Sequence, residues 1–169
     1  MKKITILVAI LLVVGFSTNA FAQPDPHIAS TTTTIITPIN ITKTVDMNFG
    51  NVATNGAIGT VVLTPAGTRT STGGITLPAT AGTVTAASFA VTGSGSYTYT
   101  ITLPGAAIPL TGTSAGVTVG TFVSNPSATG TLSSGAQTVI VGATLNLPVS
   151  VVAGTYNSPA GLSVTVNYN

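Results

Sequence analysis

The 169-residue chain contains no cysteine, no tryptophan and no glutamate. Without cysteine there can be no disulfide, so packing and backbone ladders must hold the fold. The same absence leaves too few ligands for a zinc centre. Asp25 and Asp46 are the only carboxylates, so a paired general acid and base would have to use both. Asp25 lies between Pro24 and Pro26, a poor place to hold a reacting group. His27, the only histidine, is two residues away, which leaves no well-held base for a Ser–His–Asp arrangement. The Gly-rich stretch "GTRTSTGG" (67–74) lacks the lysine and helix of a phosphate loop. The expectation is therefore a protein without enzymatic activity, cofactor or metal.

Charge is scarce as well. Lys2, Lys3, Lys43 and Arg69 are all the lysines and arginines. No basic patch can form to neutralise phosphates, which argues against nucleic acid and against an anionic membrane surface. Few charged residues also means few of the usual surface helix formers. A nearly neutral surface offers little repulsion between copies and favours association.

What is present begins with a targeting segment. Lys2 and Lys3 precede an apolar run from Ile4 to Val14 broken only by Thr5, and Ala20-Phe21-Ala22 supplies a small-x-small cleavage pattern. This reads as a signal peptide over residues 1–22, cleaved after Ala22 with Ala20 two residues before. The run is shorter than the roughly 20 residues of a spanning helix. No later segment is apolar and long enough to span as a helix. The mature chain would carry two cations against two anions, a net charge of zero. Export across the inner membrane, to the periplasm, cell surface or exterior, is the expected destination.

Residues 23–34 read as a flexible leader, with two prolines and the low-complexity run "STTTT". Residues 35–169 read as one domain rich in Thr, Val, Ile, Ala, Gly and Ser, a vocabulary of pleated strands and turns. Strands are predicted at 35–45, 58–64, 75–77, 87–92, 96–103, 108–110, 117–124, 139–141, 144–150 and 162–168. The stretch 67–74 reads as a turn-rich connector. The 87–92 and 96–103 strands read as a hairpin about "GSG" (93–95). In the last strand Leu162, Val164, Val166 and Tyr168 alternate with Ser163, Thr165 and Asn167, a half-buried pattern. Eight to ten mostly short strands imply an all-β antiparallel sandwich.

Several words of sequence extend this reading. "DMNFG" (46–50) follows the first strand, and "FAVTGSGSYTYTITLP" (89–104), "VTVGTF" (117–122), "GATLNLP" (142–148) and "AGTYNSPAGLSVTVNY" (153–168) follow in order. The set, over roughly 40–168, resembles a family of bacterial exported proteins catalogued as domain of unknown function 4402. That family resembles fimbrial subunits and spore-coat-protein-U-like domains. The resemblance implies an immunoglobulin-like, pilin-like sandwich, a Phe-Gly pair after the first strand at Phe49-Gly50, and a closing strand ending near Tyr168. It also implies assembly through a periplasmic chaperone and usher, in which an incomplete sandwich accepts a neighbour's strand. The chain departs from many such relatives in lacking a disulfide, and its leader offers only Ile28 as a large apolar anchor.

From the residues alone, Phe49 closes a strand with an apolar ring and Gly50 is free to take a positive φ. Asp46 is placed to cap that turn or to pair with Lys43 or Arg69. Tyr97 and Tyr99 read either as core or as an exposed aromatic strip. Thr-x-Thr words recur at uneven intervals, which does not suit a solenoid. The function expected first is an exported structural subunit of a surface assembly, fimbria-like or coat-like, partnered by its own copies or other subunits. Phe49, Gly50, Leu162, Val164, Val166 and Tyr168 are its candidate structural and assembly residues. The alternatives are a monomeric exported module that binds a glycan or another surface ligand, and, less favoured, a small outer-membrane β-barrel. Nine aromatic residues, five Phe and four Tyr, are few for the girdles of such a barrel.

Overall fold

The computed structural model describes residues 27–169. The predicted signal segment 1–22, with Ala20 and Ala22, lies outside the described residues, as do residues 23–26 of the leader and Asp25 within them. The chain divides into two units, Met1–Thr34 and Ile35–Asn169. In the first, residues 27–34 have no regular secondary structure and are exposed. Among the described residues no helix is long and apolar enough to cross a membrane.

The second unit is all-β. Ten strands follow one another: β1 (Asn40–Val45), β2 (Ala53–Leu63), β3 (Arg69–Thr76), β4 (Ala87–Thr92), β5 (Thr98–Thr102), β6 (Ile108–Pro109), β7 (Thr118–Asn125), β8 (Thr129–Thr131), β9 (Ala136–Leu147) and β10 (Thr165–Tyr168). They form two antiparallel sheets. The larger has seven strands in the path β1-β4-β9-β2-β3, with β7 beside β9 and β6 beside β7; the smaller runs β10-β5-β8. Both sheets have free edges, so the architecture is a β-sandwich and not a closed barrel.

Three predicted details are corrected. First, "GTRTSTGG" is mostly strand. The turn shrinks to Pro65–Gly67, closed by the Thr64 amide on the Thr68 carbonyl at 2.9 Å, and Arg69–Leu63 pairing starts at once. Second, β4 and β5 do not form a hairpin. Both edges of β4 are taken, by β1 and β9, so the chain crosses to the other sheet, where β5 pairs with β10 and β8. Third, 139–141 and 144–150 are not separate strands. One twelve-residue strand, β9, passes through Gly142 with alternation intact, so not every strand is short. The three-residue β8 was not predicted.

β9 organises the large sheet. Along one edge it pairs with β4 through Ala136–Val141 and then with β2 through Ala143–Leu147; along the other it pairs with β7. Two apolar clusters result. One gathers Phe89, Val91, Val139 and Val141 from the large sheet against Tyr99, Ile101, Leu132 and Val166. The second gathers Val61, Ile75, Val119, Ala143, Leu145 and Leu147. The three-stranded sheet covers the first; it supplies no residue to the second.

Phe122 joins the two clusters, as does Met47. Strict alternation from Val117 and Val119 would turn Phe122 outward. The β7 register shifts between Gly120 and Val123, and Thr121 takes φ 48°, a bulge that adds one residue and returns Phe122 to the interior.

Tyr99 is fully buried and its hydroxyl donates to Gln137 Oε1 at 2.6 Å. Burial raises its pKa above the ordinary value of 10.0. The neutral phenol is thus the folded form. The stability it contributes is complete below the unfolded-state pKa near 10 and is lost as pH rises from there through the folded-state pKa. Thermal melts between pH 8 and 11 should show the midpoint falling more steeply for the wild type than for Tyr99→Phe. Parallel slopes would contradict this assignment.

Candidate functional site

The turn after β1 is built by backbone capture. Asn48 and Thr85 exchange amide-to-carbonyl hydrogen bonds of 2.8 and 3.0 Å, and the Thr85 hydroxyl donates to the Asp46 carbonyl at 2.7 Å. The Asn48 side chain then accepts the Gly50 amide at 2.8 Å, an Asx turn. Gly50 sits at φ +67°, and a Cβ there would stand 2.3 Å from the Ala81 carbonyl oxygen. Any other residue would meet both backbone strain and a clash. The Asp46 carboxylate pairs with Lys43 at 2.5 Å, both ends exposed. An exposed pair of this kind contributes at most about 1 kcal/mol.

Arg69, at the start of β3, reaches across to this turn. Its Nη1 donates to the carbonyls of Phe49 and, at 3.0 Å, of Asn51. One of only two lysine or arginine residues in the described chain is thus spent on holding the Phe49 backbone, not on pairing with Asp46. The Phe49 ring packs against the second cluster.

At the other end of the chain, alternation places Leu162, Val164 and Tyr168 half-buried and Val166 buried, 7% exposed, against the first cluster. Ser163, Thr165, Asn167 and Asn169 face outward. Tyr168 is held at its tip: its hydroxyl accepts the Ser94 amide at 2.7 Å and donates to the Thr37 carbonyl at 2.9 Å. Gly93 makes room for it, since a Cβ there would stand 2.2 Å from that oxygen. Tyr97 packs edge-on to Tyr168 with centroids 5.8 Å apart. Tyr97 is 47% exposed while Tyr99 is buried, so the two do not form an aromatic strip.

Between these two regions lies an open cleft of about 970 Å³. One wall is the end of β1 and its turn, including Val45, Met47, Phe49 and Gly50; the other is 151–158 with Gly161 and Leu162; Phe89, Phe122 and Leu145 form the floor. The cleft exists because the second cluster has no strand across from it. In place of a strand, the segment between β9 and β10 runs past. It is tied by Thr111–Asn157 amide-to-carbonyl bonds and by Tyr156, whose hydroxyl donates to the Val152 carbonyl at 2.6 Å and accepts the Ser114 amide at 3.1 Å.

The seam between the sheets has the same character. β1 borders the large sheet and β10 the small one; they approach each other, yet no ladder joins them. β10 pairs with β5 alone.

Of the predicted residues, Phe49, Gly50 and Leu162 come together around the cleft, while Val164, Val166 and Tyr168 hold the adjoining core. Sequence reasoning missed the clamp role of Arg69, the tether at Tyr156 and the inward turn of Phe122. His27 is exposed in the first unit. Among the described residues no cluster of three or more His, Cys, Asp or Glu could hold a metal ion.

A two-sheet antiparallel β-sandwich with an open cleft at one end of its core is the class of structure these features define. Residues 39–168 match the family model described as Domain of unknown function (DUF4402), and the chain belongs to that family. No curated protein and no solved structure matches it.

Proposed function

We propose that the protein is an exported structural subunit of a surface assembly, with a pilin-like sandwich completed by a strand from a neighbouring copy or companion subunit. The observation that supports this most is the coincidence of three gaps: an open cleft with an apolar floor, a core cluster without a facing strand, and an edge of β10 with no partner. An extended segment laid along β10 would satisfy that edge with backbone hydrogen bonds, and its continuation past Leu162 and Gly161 would send alternate side chains into the cleft. The exposed leader, with Ile28 93% exposed and a Thr-rich stretch behind it, is a strand-compatible segment for that purpose. The predicted signal segment and the scarcity of charge support export and close association of copies. A periplasmic chaperone would hold the same edge before assembly.

The test is removal of residues 23–34, leaving the segment before them intact. The full chain should form multimers visible by sizing and electron microscopy, and the shortened chain should not. A full chain that stays monomeric at every concentration would contradict the proposal. It would favour the second reading, a monomeric binding module, which rests on the same cleft: its volume is within the ordinary range of small-molecule sites, about 300–1,000 Å³.

A further inference from the structure

Residues 148–164, between β9 and β10, are the longest stretch outside strands among the described residues. This strap passes where the second cluster lacks a facing strand, yet it forms no ladder; its one strand-like contact is the isolated Thr111–Asn157 bridge. From Val149 to Gly161 no residue is buried. Val151, Tyr156 and Ser158 are half-buried and the rest are exposed, Val149 at 65% and Val152 at 53%. The apolar side chains that hold the strap down are Val151 and Tyr156, both packed on the second cluster. A segment with so little buried apolar surface lies at the low end of local stability.

The polar fastenings of the strap converge on one place, the loop 110–117 between β6 and β7. Besides the Thr111–Asn157 amide bonds, the Thr111 hydroxyl donates to the Asn157 carbonyl at 3.2 Å, and the Val152 amide donates to Ser114 Oγ at 2.8 Å. The Tyr156 hydroxyl joins the two sides, between the Ser114 amide and the Val152 carbonyl. Gly112 gives its ring a seat, since a Cβ there would strike it. Away from this fastening, among the described residues, the strap has the Ser150 amide on the Gly56 carbonyl at 2.8 Å and the Gly161 amide on its own Ser158 Oγ at 3.0 Å. Gly161 has φ +68° and open space around it, so the backbone can pivot there without a steric cost.

We propose that residues 149–161 are a lid over the second cluster, that Tyr156 is its latch, and that release of the latch admits the neighbour's strand to the full length of the cleft. The inference rests on the strand-completion reading above and adds the step that controls it. In the closed state 151–158 form one wall of the cleft and cover part of the second cluster with Val151 and Tyr156. An incoming strand offers that cluster alternate side chains on a segment already paired to β10; the strap offers two side chains and no ladder. Once the latch opens, the exchange favours the strand. Until then the lid keeps apolar surface covered, which guards a lone subunit against indiscriminate association.

The cysteine-free chain allows the lid to be locked reversibly. A Cβ at Gly154 would stand 3.2 Å from the Thr113 Cβ, within a few tenths of an ångström of the roughly 3.5–4.5 Å of a disulfide, and both residues are exposed. The full chain is compared as wild type, as Tyr156→Phe, and as Thr113→Cys/Gly154→Cys in oxidised and reduced forms. Native-state hydrogen exchange reads the lid. The amides of Thr111, Ser114, Val152 and Asn157, which the fastening protects, should exchange together and well before those of β9 opposite β2. Tyr156→Phe loses both hydroxyl bonds and should exchange them roughly tenfold faster. Oxidation of the double cysteine variant should slow them. Sizing reads admission: the oxidised form should stay monomeric, reductant should restore wild-type multimers, and Tyr156→Phe should assemble faster. Exchange of the four amides only in step with β9 would overturn the inference. So would multimers that form as fast in the oxidised form as in the reduced one. Multimers absent in every form would contradict the strand-completion reading instead, and the exchange pattern would still decide the lid.

Discussion

Replacing Val166 by Asp should abolish cooperative folding. Val166 is 7% exposed and packs in the first cluster with Tyr99, Ile101, Leu132 and Val139. No lysine or arginine lies in that cluster to pair with a new carboxylate. A buried, unpaired charge costs several kcal/mol even after relaxation, a large part of the roughly 5–15 kcal/mol that holds a domain together. Two controls give the result its meaning. Val166→Ala removes only apolar contact and should cost about 1–3 kcal/mol. Asn167→Asp places the same carboxylate one residue away on the exposed face, where a change within about 0.5 kcal/mol is ordinary. Urea denaturation followed by circular dichroism would read all three. A soluble, cooperatively unfolding Val166→Asp protein would show that this face of β10 is not core.

The second large effect falls on Phe122. Its ring touches both clusters, and only the bulge at Thr121 turns it inward. Phe122→Ala should cost about 2–4 kcal/mol, somewhat below the usual loss for a fully buried ring because Phe122 is half-buried. The change should also enlarge the cleft, whose floor the ring helps to form. The expected signature is a lower denaturation midpoint together with stronger binding of a hydrophobic dye by the native protein. A loss comparable to that of an exposed residue would contradict the bridging role.

How far the sequence discloses this molecule depends on where local pattern and tertiary pairing agree. They agree in β4, whose alternation at 87–92 has the same bounds in the structure, and in the face formed by Leu162, Val164, Val166 and Tyr168. They disagree in β3, where Ser and Gly signal a turn but a ladder to β2 overrides them. They disagree again at "GSG", where a hairpin turn is written locally but β1 and β9 already occupy both edges of β4. The inward turn of Phe122 is easily overlooked: Gly120 inside the strand is the one local sign of a bulge, and the positive φ falls on Thr121 rather than on that glycine. The site is legible in part. Phe49-Gly50 and Leu162 stand out by type and position, but that they face one cleft follows from the unequal size of the sheets, which no local pattern encodes.

In the proposed assembly a neighbour's leader would fill the cleft and close the seam beside β10. The absence of cysteine permits a direct measurement: Thr32→Cys in the leader combined with Val45→Cys at the cleft wall, followed by mild oxidation and electrophoresis without reductant. Val45 is 40% exposed, so the second change should leave the fold intact. The expected result is a ladder of disulfide-linked multimers from the double variant and at most dimers from either single variant. A folded double variant that forms no ladder after oxidation would contradict it.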